Sequence, residues 1–241
     1  MIDHVTLRVS DFEASKTFYV TVLAPLGYAL PWSDDEQRAV DWGDVSISQD
    51  DKPLTENAHI AFAAKSREEV DAFYRAAMEA GYDDNGPPGE RSTYHNDYYG
   101  AFVLDPDGNN IEAVFHGIDP AFGIDHLFVR VRDLEESRRF YESVSGPFSF
   151  GQWAIGSEND WVAFGRRTHS LWLTEDTPTE NLHIAFAANS REEVDVFYET
   201  ALKAGYRDNG PPGERKYHKG YYAAFVLDPD GNNVEAVFHD R

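Results

Sequence analysis

The chain has 241 residues, of which 41% are hydrophobic and 14% aromatic, enough to build one large or two ordinary packed domains. Its 43 acidic residues against 21 basic ones give a net charge of -22, which argues against nucleic acid and anionic membranes as partners. It contains no cysteine, which excludes disulfides and thiolate ligands and is typical of the reducing cytoplasm. We therefore expect a cytoplasmic protein.

Taken in chain order, the sequence predicts a strand, a helix and a set of short strands, and then the same series again. Residues 2–9 alternate between apolar and polar, as a half-buried strand does. A helix capped by Ser10 or Asp11 follows and ends by Gly27, before the strand-like stretches "YALPW", "RAVDWG" and "VSISQ". A second strand, "AHIAFAA", precedes a helix capped by Ser66. After this helix, "DPDG" predicts a turn between two further strands.

The second half of the chain repeats the first. The stretch "FVLDPDGNNIEAVFH" at 102–116 recurs at 225–239 with one change, and three other segments recur at similar offsets. The repeat predicts two domains, at 1–116 and 124–241, joined by a linker at 117–123. With two strand–helix–strands modules in each copy, the predicted fold class is α+β.

Three strands of each copy place two histidines and a glutamate on the face opposite the bulky apolar side chains. Because side chains alternate between faces along a strand, this face holds His4, His59 and Glu112 in the first copy. The second copy repeats the set with His126, His183 and Glu235. Two imidazoles and one carboxylate are a ligand set for divalent iron, manganese, nickel, cobalt or zinc. The sequence leaves open whether the first histidine of a copy joins the other two ligands of its own copy or those of the other copy.

A single histidine in a strand is more often structural than a metal ligand, so the prediction depends on the repetition. Eight of the nine histidines fall into four matched pairs, and His169 is the exception. His116 and His239 share a strand face with the glutamates but lie four residues away. This is roughly 13 Å at ~3.3 Å per residue, too far for the same ion, and we interpret both as structural histidines at strand ends.

The segments "DHVTLRVSDFEASKTFY", "HIAFAA" and "FVLDPDGNNIE" resemble the vicinal oxygen chelate superfamily, which includes glyoxalase I, extradiol dioxygenases, and fosfomycin- and bleomycin-resistance proteins. The resemblance covers nearly the whole chain and implies four βαβββ modules in two domains, with mixed sheets curled around clefts and helices outside. It also implies metal ligands on the first strand of each module and the last strand of each domain, where the six residues stand. Because single-domain relatives dimerise, we expect a monomer that forms a pseudo-dimer, or a homodimer.

Further residues gain expected roles from the same resemblance. Extradiol dioxygenases place an acid–base histidine just before the DP turn, and His95 and His218 match that place. The tyrosine that the dioxygenases carry three residues before the DP aspartate is replaced by Phe102 and Phe225, which argues against ring-cleaving oxygenation. Candidate substrate contacts in the Gly/Pro-rich segments are Arg91, Tyr94, Arg215 and Tyr217.

The combined expectation is a glyoxalase-like, metal-dependent lyase or isomerase. Its substrate would be a small molecule that chelates the ion through vicinal oxygens. One alternative is a drug- or metabolite-binding resistance protein without catalysis, a class whose acidic surfaces suit cationic drugs but which generally lacks the metal ligands. Another alternative is an extradiol-type dioxygenase.

Overall fold

The computed structural model describes residues 2–118, 122–148, 151–158, 160–165 and 170–240. Within these ranges the helices are α1 (Phe12–Leu23), α2 (Arg67–Glu79), α3 (Leu134–Ser145) and α4 (Arg191–Lys203). The strands up to residue 115 are β1 (Ile2–Arg8), β2 (Trp32–Asp34), β3 (Ala39–Asp41), β4 (Val45–Ser48), β5 (His59–Ala63), β6 (Asp84–Glu90), β7 (Tyr99–Leu104) and β8 (Asn110–Phe115). Those that follow are β9 (Ile124–Val131), β10 (Gln152–Ile155), β11 (Trp161–Phe164), β12 (Ser170–Glu175), β13 (His183–Ala187), β14 (Arg207–Glu214), β15 (Tyr221–Leu227) and β16 (Asn233–His239).

Helices α1 and α2 begin at capping residues that the sequence predicts. Asp11 accepts a hydrogen bond from the backbone N–H of Ala14 at 3.1 Å, and Ser66 accepts one from that of Glu69 at 3.3 Å. These caps satisfy N–H groups that have no partner within the helix. A short 3-10 turn follows α1 and ends at Gly27, whose φ of 88° favours glycine.

The strands form two eight-stranded sheets, which are mixed and not closed. Strand β5 pairs with β8, and β13 with β16, in parallel, whereas neighbours such as β7 and β8 are antiparallel. This confirms the predicted α+β class. No helix in the described part of the chain is long and apolar enough to cross a membrane.

The chain divides into two compact units, and these differ from the two copies seen in the sequence. Unit I is Leu7–Leu127, and unit II is Met1–Thr6 together with Phe128–Arg241. Each unit therefore contains the first residues of the other copy. The domain boundaries predicted from the repeat remain a proposal, and residues 119–121 of the proposed linker, like His169, lie outside the described residues.

Each unit contains three neighbouring strands that carry the predicted metal ligands. In unit I the strand order β9-β5-β8-β7-β6 places β5 between β9 and β8. In unit II the order β1-β13-β16-β15-β14 places β13 between β1 and β16. Helix α2 packs against β7 and β8, and helix α4 packs against β15 and β16, with Phe73 and Phe197 fully buried.

Candidate metal centres

In unit I, the buried Asp105 and Asn109 of the turn between β7 and β8 fix the strands that carry two of the predicted ligands. Asp105 accepts a hydrogen bond from the backbone N–H of Asn109 at 2.8 Å. The side-chain oxygen of Asn109 accepts one at 3.0 Å from the backbone N–H of Ala58, which directly precedes His59. The backbone N–H of Asn110, the first residue of β8, donates to the Ala58 carbonyl at 2.9 Å. The turn thereby sets β5 in register with β8, and equivalent bonds in unit II join Asp228, Asn232, Leu182 and Asn233.

The strand register places a small residue at the centre of each site. Ala61 lies opposite Glu112 in the parallel pair of β5 and β8. In unit II, Ala185 lies opposite Glu235 on one neighbouring strand and opposite His4 on the other. Residues that lie opposite one another project from the same face of a sheet, so each alanine leaves space among the longer ligand side chains.

Unit I brings His59, Glu112 and His126 together. The Nε2 atom of His59 lies 2.9 Å from Oε2 of Glu112, and Nε2 of His126 lies 3.5 Å from the same oxygen. One possible ligand atom from each of the three residues lies within 4.8 Å of the other two. Glu112 is fully buried, whereas the histidine side chains are 18% and 11% exposed, so the group opens to solvent on the histidine side.

Unit II brings His4, His183 and Glu235 together in the same way. The Nε2 atom of His183 lies 2.7 Å from Oε2 of Glu235, and Nε2 of His4 lies 3.6 Å from that oxygen. The three possible ligand atoms again lie within 4.8 Å of one another. Of the two groupings that the sequence left open, the structure has the one in which the first histidine of each copy joins the ligands of the other copy.

The chemistry of both groups fits a divalent cation. Each offers two imidazole nitrogens and one carboxylate oxygen, the set used by transition metals in sites that keep open coordination positions. Among the described residues, the ion-pair partners of both glutamates are histidines rather than lysine or arginine. A buried carboxylate needs a paired positive charge or a metal, and a bound cation would supply that charge.

The electrostatics of the metal-free unit I group shows how strongly its members are coupled. Burial favours the neutral form of Glu112, but hydrogen bonds and charges from His126 and His59 outweigh it and lower the pKa of Glu112 to about 2. Burial likewise opposes a charge on His126, but Asp125 and Glu112 raise the pKa of His126 to about 10. Metal binding requires a neutral imidazole, so it must displace a proton from this group.

A tyrosine holds the second oxygen of each glutamate. The hydroxyl of Tyr98 donates to Oε1 of Glu112 at 2.6 Å, and that of Tyr221 donates to Oε1 of Glu235 at 2.7 Å. Burial, together with the glutamate charge, raises the pKa of both hydroxyls well above the ordinary value. The strand alternation sends the next tyrosine of each pair elsewhere, since Tyr99 donates to Asp71.

An aspartate fixes the outer nitrogen of one histidine in each group. Oδ1 of Asp125 lies 2.8 Å from Nδ1 of His126, and Oδ1 of Asp3 lies 2.8 Å from Nδ1 of His4. A histidine that donates from Nδ1 presents the lone pair of Nε2 inwards, as a metal ligand must. Neither aspartate was predicted from the sequence, although each directly precedes a predicted ligand in the repeated "IDH" segment.

The two predicted acid–base histidines lie outside the metal groups. Nε2 of His95 is 2.8 Å from Nδ1 of His116, and Nε2 of His218 is 2.9 Å from Nδ1 of His239. His116 and His239 are absent from the two metal groups, which are defined over the described residues. Each joins its neighbouring histidine to the aspartate described above.

The predicted substrate-binding residues surround the candidate centres at a greater distance. The guanidinium carbon of Arg91 lies 5.5 Å from the ring centroid of Phe102, whose edge faces His59 with centroids 6.1 Å apart. Arg215 stacks on Phe225 in the same way at 5.1 Å. The two exposed tyrosines pack on the tyrosines that hold the glutamates, with centroid distances of 5.0 Å for Tyr94 on Tyr98 and 4.9 Å for Tyr217 on Tyr221.

Two solved structures align with nearly the whole of this chain. Glyoxalase I from Zea mays is similar in structure, with 18% identity and a TM-score of 0.71 over 99% of this chain and 92% of that chain. The Mn(II)-bound glyoxalase from Novosphingobium aromaticivorans aligns at 20% identity and a TM-score of 0.46, over 100% of this chain and 82% of that chain. No curated protein matches by sequence.

The family model carries the assignment, because structural likeness at such low identity shows the fold alone. The model of the Glyoxalase/Bleomycin resistance protein/Dioxygenase superfamily matches residues 1–113 and again residues 123–236. These two matches cover both copies of the repeat, together with all six residues of the two metal groups. The chain belongs to the Glyoxalase/Bleomycin resistance protein/Dioxygenase superfamily.

Proposed function

We propose that this protein is a metal-dependent enzyme of the glyoxalase-like lyase or isomerase type. Its substrate would be a small molecule that chelates a divalent ion of iron, manganese, nickel, cobalt or zinc through two adjacent oxygens. One observation carries the proposal: each unit gathers a buried carboxylate and two imidazoles within 4.8 Å. Membership of a superfamily that includes glyoxalases supports the same class of reaction. The absence of cysteine supports a cytoplasmic location.

In this proposal, different residues bind the ion, orient the carboxylate and contact the substrate. A bound divalent ion would supply Lewis acidity towards the substrate oxygens and lower the pKa of a bound water. Glu112 and Glu235 would bind the ion with one oxygen, while Tyr98 and Tyr221 hold the other oxygen and prevent the carboxylate from rotating. The half-buried Arg91 and Arg215 and the exposed Tyr94 and Tyr217 would contact the substrate.

The phenylalanines at positions 102 and 225 favour lyase or isomerase chemistry over ring-cleaving oxygenation. Phe102 lies between Arg91 and His59, so its ring borders the candidate centre without offering a hydroxyl group. Phe225 holds the same place beside His183, with centroids 6.1 Å apart. A dioxygenase that relies on a tyrosine at this position would lack its proton donor here.

A binding protein without catalysis is the second candidate. The net charge of -22 favours capture of a cationic drug or metabolite. Such a protein has no need for a metal, so the metal content separates the two candidates.

Elemental analysis of protein purified without chelator tests the proposal. We expect one ion at each centre, and we expect Glu112→Gln to lose the ion of unit I while unit II keeps its own. Glu90→Gln is a matched control, because Glu90 is an exposed glutamate that pairs with Arg67 outside both centres. A protein that takes up none of the five metals would refute the metal-dependent function.

A substrate screen with the loaded protein then separates catalysis from binding. Lyase or isomerase turnover of a vicinal dioxygen compound should fall by at least about a hundredfold in a double variant, His59→Ala with His183→Ala, because the metal provides most of the charge stabilisation. Tight binding of a compound by the metal-free protein, with no turnover, would favour the second candidate.

A further inference from the structure

Each candidate centre continues outwards through a row of three further side chains. In unit I, Oδ1 of Asp125 lies 2.8 Å from Nδ1 of His126 and 3.1 Å from Nε2 of His116. Nδ1 of His116 in turn lies 2.8 Å from Nε2 of His95. In unit II, Oδ1 of Asp3 lies 3.2 Å from Nε2 of His239, and the row ends at His218. The last histidine of each row is partly exposed, so both rows reach solvent.

A count of hydrogens shows that the outer pair of unit I has one proton too few if both rings are neutral. Nδ1 of His95 lies against the backbone carbonyl oxygen of Asn96, which can only accept, so this nitrogen must donate. Nε2 of His116 faces the carboxylate of Asp125 and donates to it. A neutral imidazole has one N–H, so the two facing nitrogens, 2.8 Å apart, would present lone pairs to each other.

The same count holds for the outer pair of unit II. Nδ1 of His218 lies 2.9 Å from the carbonyl oxygen of Lys219, and Nε2 of His239 faces the carboxylate of Asp3. The facing nitrogens of His218 and His239 are 2.9 Å apart. Two lone pairs at this distance repel, so each pair needs a cation between its rings.

The geometry identifies that cation as a proton and not a metal. The ring centroids of His95 and His116 are 5.0 Å apart although their facing nitrogens are 2.8 Å apart, so the nitrogens lie between the centroids. The ring planes are inclined by only 26°, and by 23° for His218 and His239. Each lone pair therefore points at the opposite nitrogen, whereas two metal ligands would converge on a third point.

The other titratable groups around the unit I pair are tyrosines and acids. Tyr98 packs edge-on against both His95 and His116, with centroid distances of 5.4 and 5.2 Å, and its hydroxyl is committed to Glu112. In unit II, Tyr221 contacts His218 and His239 in the same way. Both tyrosine hydroxyls are bonded to glutamates, so neither offers its proton to the histidine pair. In unit II the exposed Lys219 directly follows His218.

We propose that His95 and His116, and likewise His218 and His239, share one proton as an imidazole–imidazolium pair that exchanges with solvent at the outer ring. The inner ring of each pair donates to the aspartate that orients a candidate metal-binding histidine. The pair also gives each centre a proton store outside the metal ligands, a use that rests on the proposed function. The shared proton itself does not depend on a metal.

Long-range proton–nitrogen NMR on the labelled, metal-free wild-type protein at about pH 7.5 tests the pair directly, because an isolated imidazole is mostly neutral at that pH. We expect the two facing nitrogens of each pair to resonate between the positions of protonated and unprotonated nitrogens, with the remaining two fully protonated. Facing nitrogens that both resonate as unprotonated would overturn the proposal. Failure of metal binding would leave this result unchanged, so the two proposals fail separately.

A charge measurement with a variant adds a second test. In the double variant His95→Gln with His116→Gln, the two carboxamides can still bond each other, but neither can take up a proton. We expect the net charge at about pH 7.5 to become one unit more negative, as measured by capillary electrophoresis, with Tyr94→Phe as a neighbouring control. An unchanged charge would contradict a shared proton, while the unaltered pair of unit II serves as an internal reference in the NMR spectrum.

Discussion

Ala61 lies directly opposite Glu112 across the parallel pair of β5 and β8. It is fully buried and packs against Tyr98 and Val114, so its methyl group borders the carboxylate and the tyrosine that holds it. A residue that offers no ligand atom thus lies within the candidate metal group of unit I. The same relation holds between Ala185 and Glu235 in unit II.

We expect Ala61→Val to displace the ligand group of unit I. The added methyl groups enter a closely packed face, which typically destabilises a protein by about 1–3 kcal/mol. Elemental analysis should show a loss of the metal that one centre binds per chain. The midpoint of urea unfolding should also be lower than in the wild-type protein. Ala185→Val should give the matching loss in unit II. Retention of both ions in Ala61→Val would show that the space beside the carboxylate is not needed.

The bond between Tyr98 and Glu112 should stabilise the metal-free protein measurably. Tyr98→Phe leaves Oε1 of a fully buried carboxylate without this donor, and an unmet buried acceptor costs about 1–3 kcal/mol. Urea unfolding of the metal-free variant measures the loss. Tyr99→Phe is the matched control, because its hydroxyl bonds the surface residue Asp71 and its removal should cost less. Equal losses in the two variants would contradict the role assigned to Tyr98.

Strand alternation placed the candidate ligands on one face, because the period of two is a local property of the backbone. His59 and Glu112 could be placed on the inner face from the residues beside them, and their strands could be joined through the short DPDG turn. The third ligand could not be assigned from the sequence, since His4 and His126 occupy the same place in matching segments. The choice depends on which distant strand pairs with β5 or β13, and pairing between distant strands leaves no local pattern.

The contacts of His116 with Asp125 and His95 were likewise not predictable from patterns along a single strand. The distance along one strand argues against His116 as a ligand of the same ion, because that distance is fixed by the rise per residue. It gave no information on the residues that other strands bring alongside. Contacts of His116 with Asp125 and His95 arise only when β8, β9 and the segment before β7 come together.

Asp125→Asn should weaken metal binding at unit I while leaving the fold intact. The carboxamide oxygen can still accept hydrogen bonds, but the loss of charge makes His126 a weaker ligand, and such changes next to a ligand typically cost 10–100-fold in affinity. Titration with zinc or manganese against a competing chelator measures the change. Asp3→Asn should have the matching effect in unit II, and an unaltered affinity in both variants would show that these aspartates do not tune their histidines.

The stability of the metal-free protein should depend on pH through Glu112 and His126. The pKa of Glu112 is lowered from 4.5 to about 2 on folding, so its contribution is present above pH 4.5 and is lost as the pH falls towards 2. The pKa of His126 is raised from 6.5 to about 10, so its contribution is complete below pH 6.5 and is lost as the pH rises towards 10. Both contributions are therefore complete only between about pH 4.5 and 6.5.

Urea unfolding of chelator-treated protein across this range tests the pair, with Glu112→Gln as the variant that removes its acidic member. The variant should lose the decline at low pH that Glu112 causes, and it should show a weaker decline at high pH, because His126 then retains only Asp125 as a charged partner. A variant whose unfolding free energy follows the wild-type curve at every pH would show that the buried glutamate and histidine are not coupled.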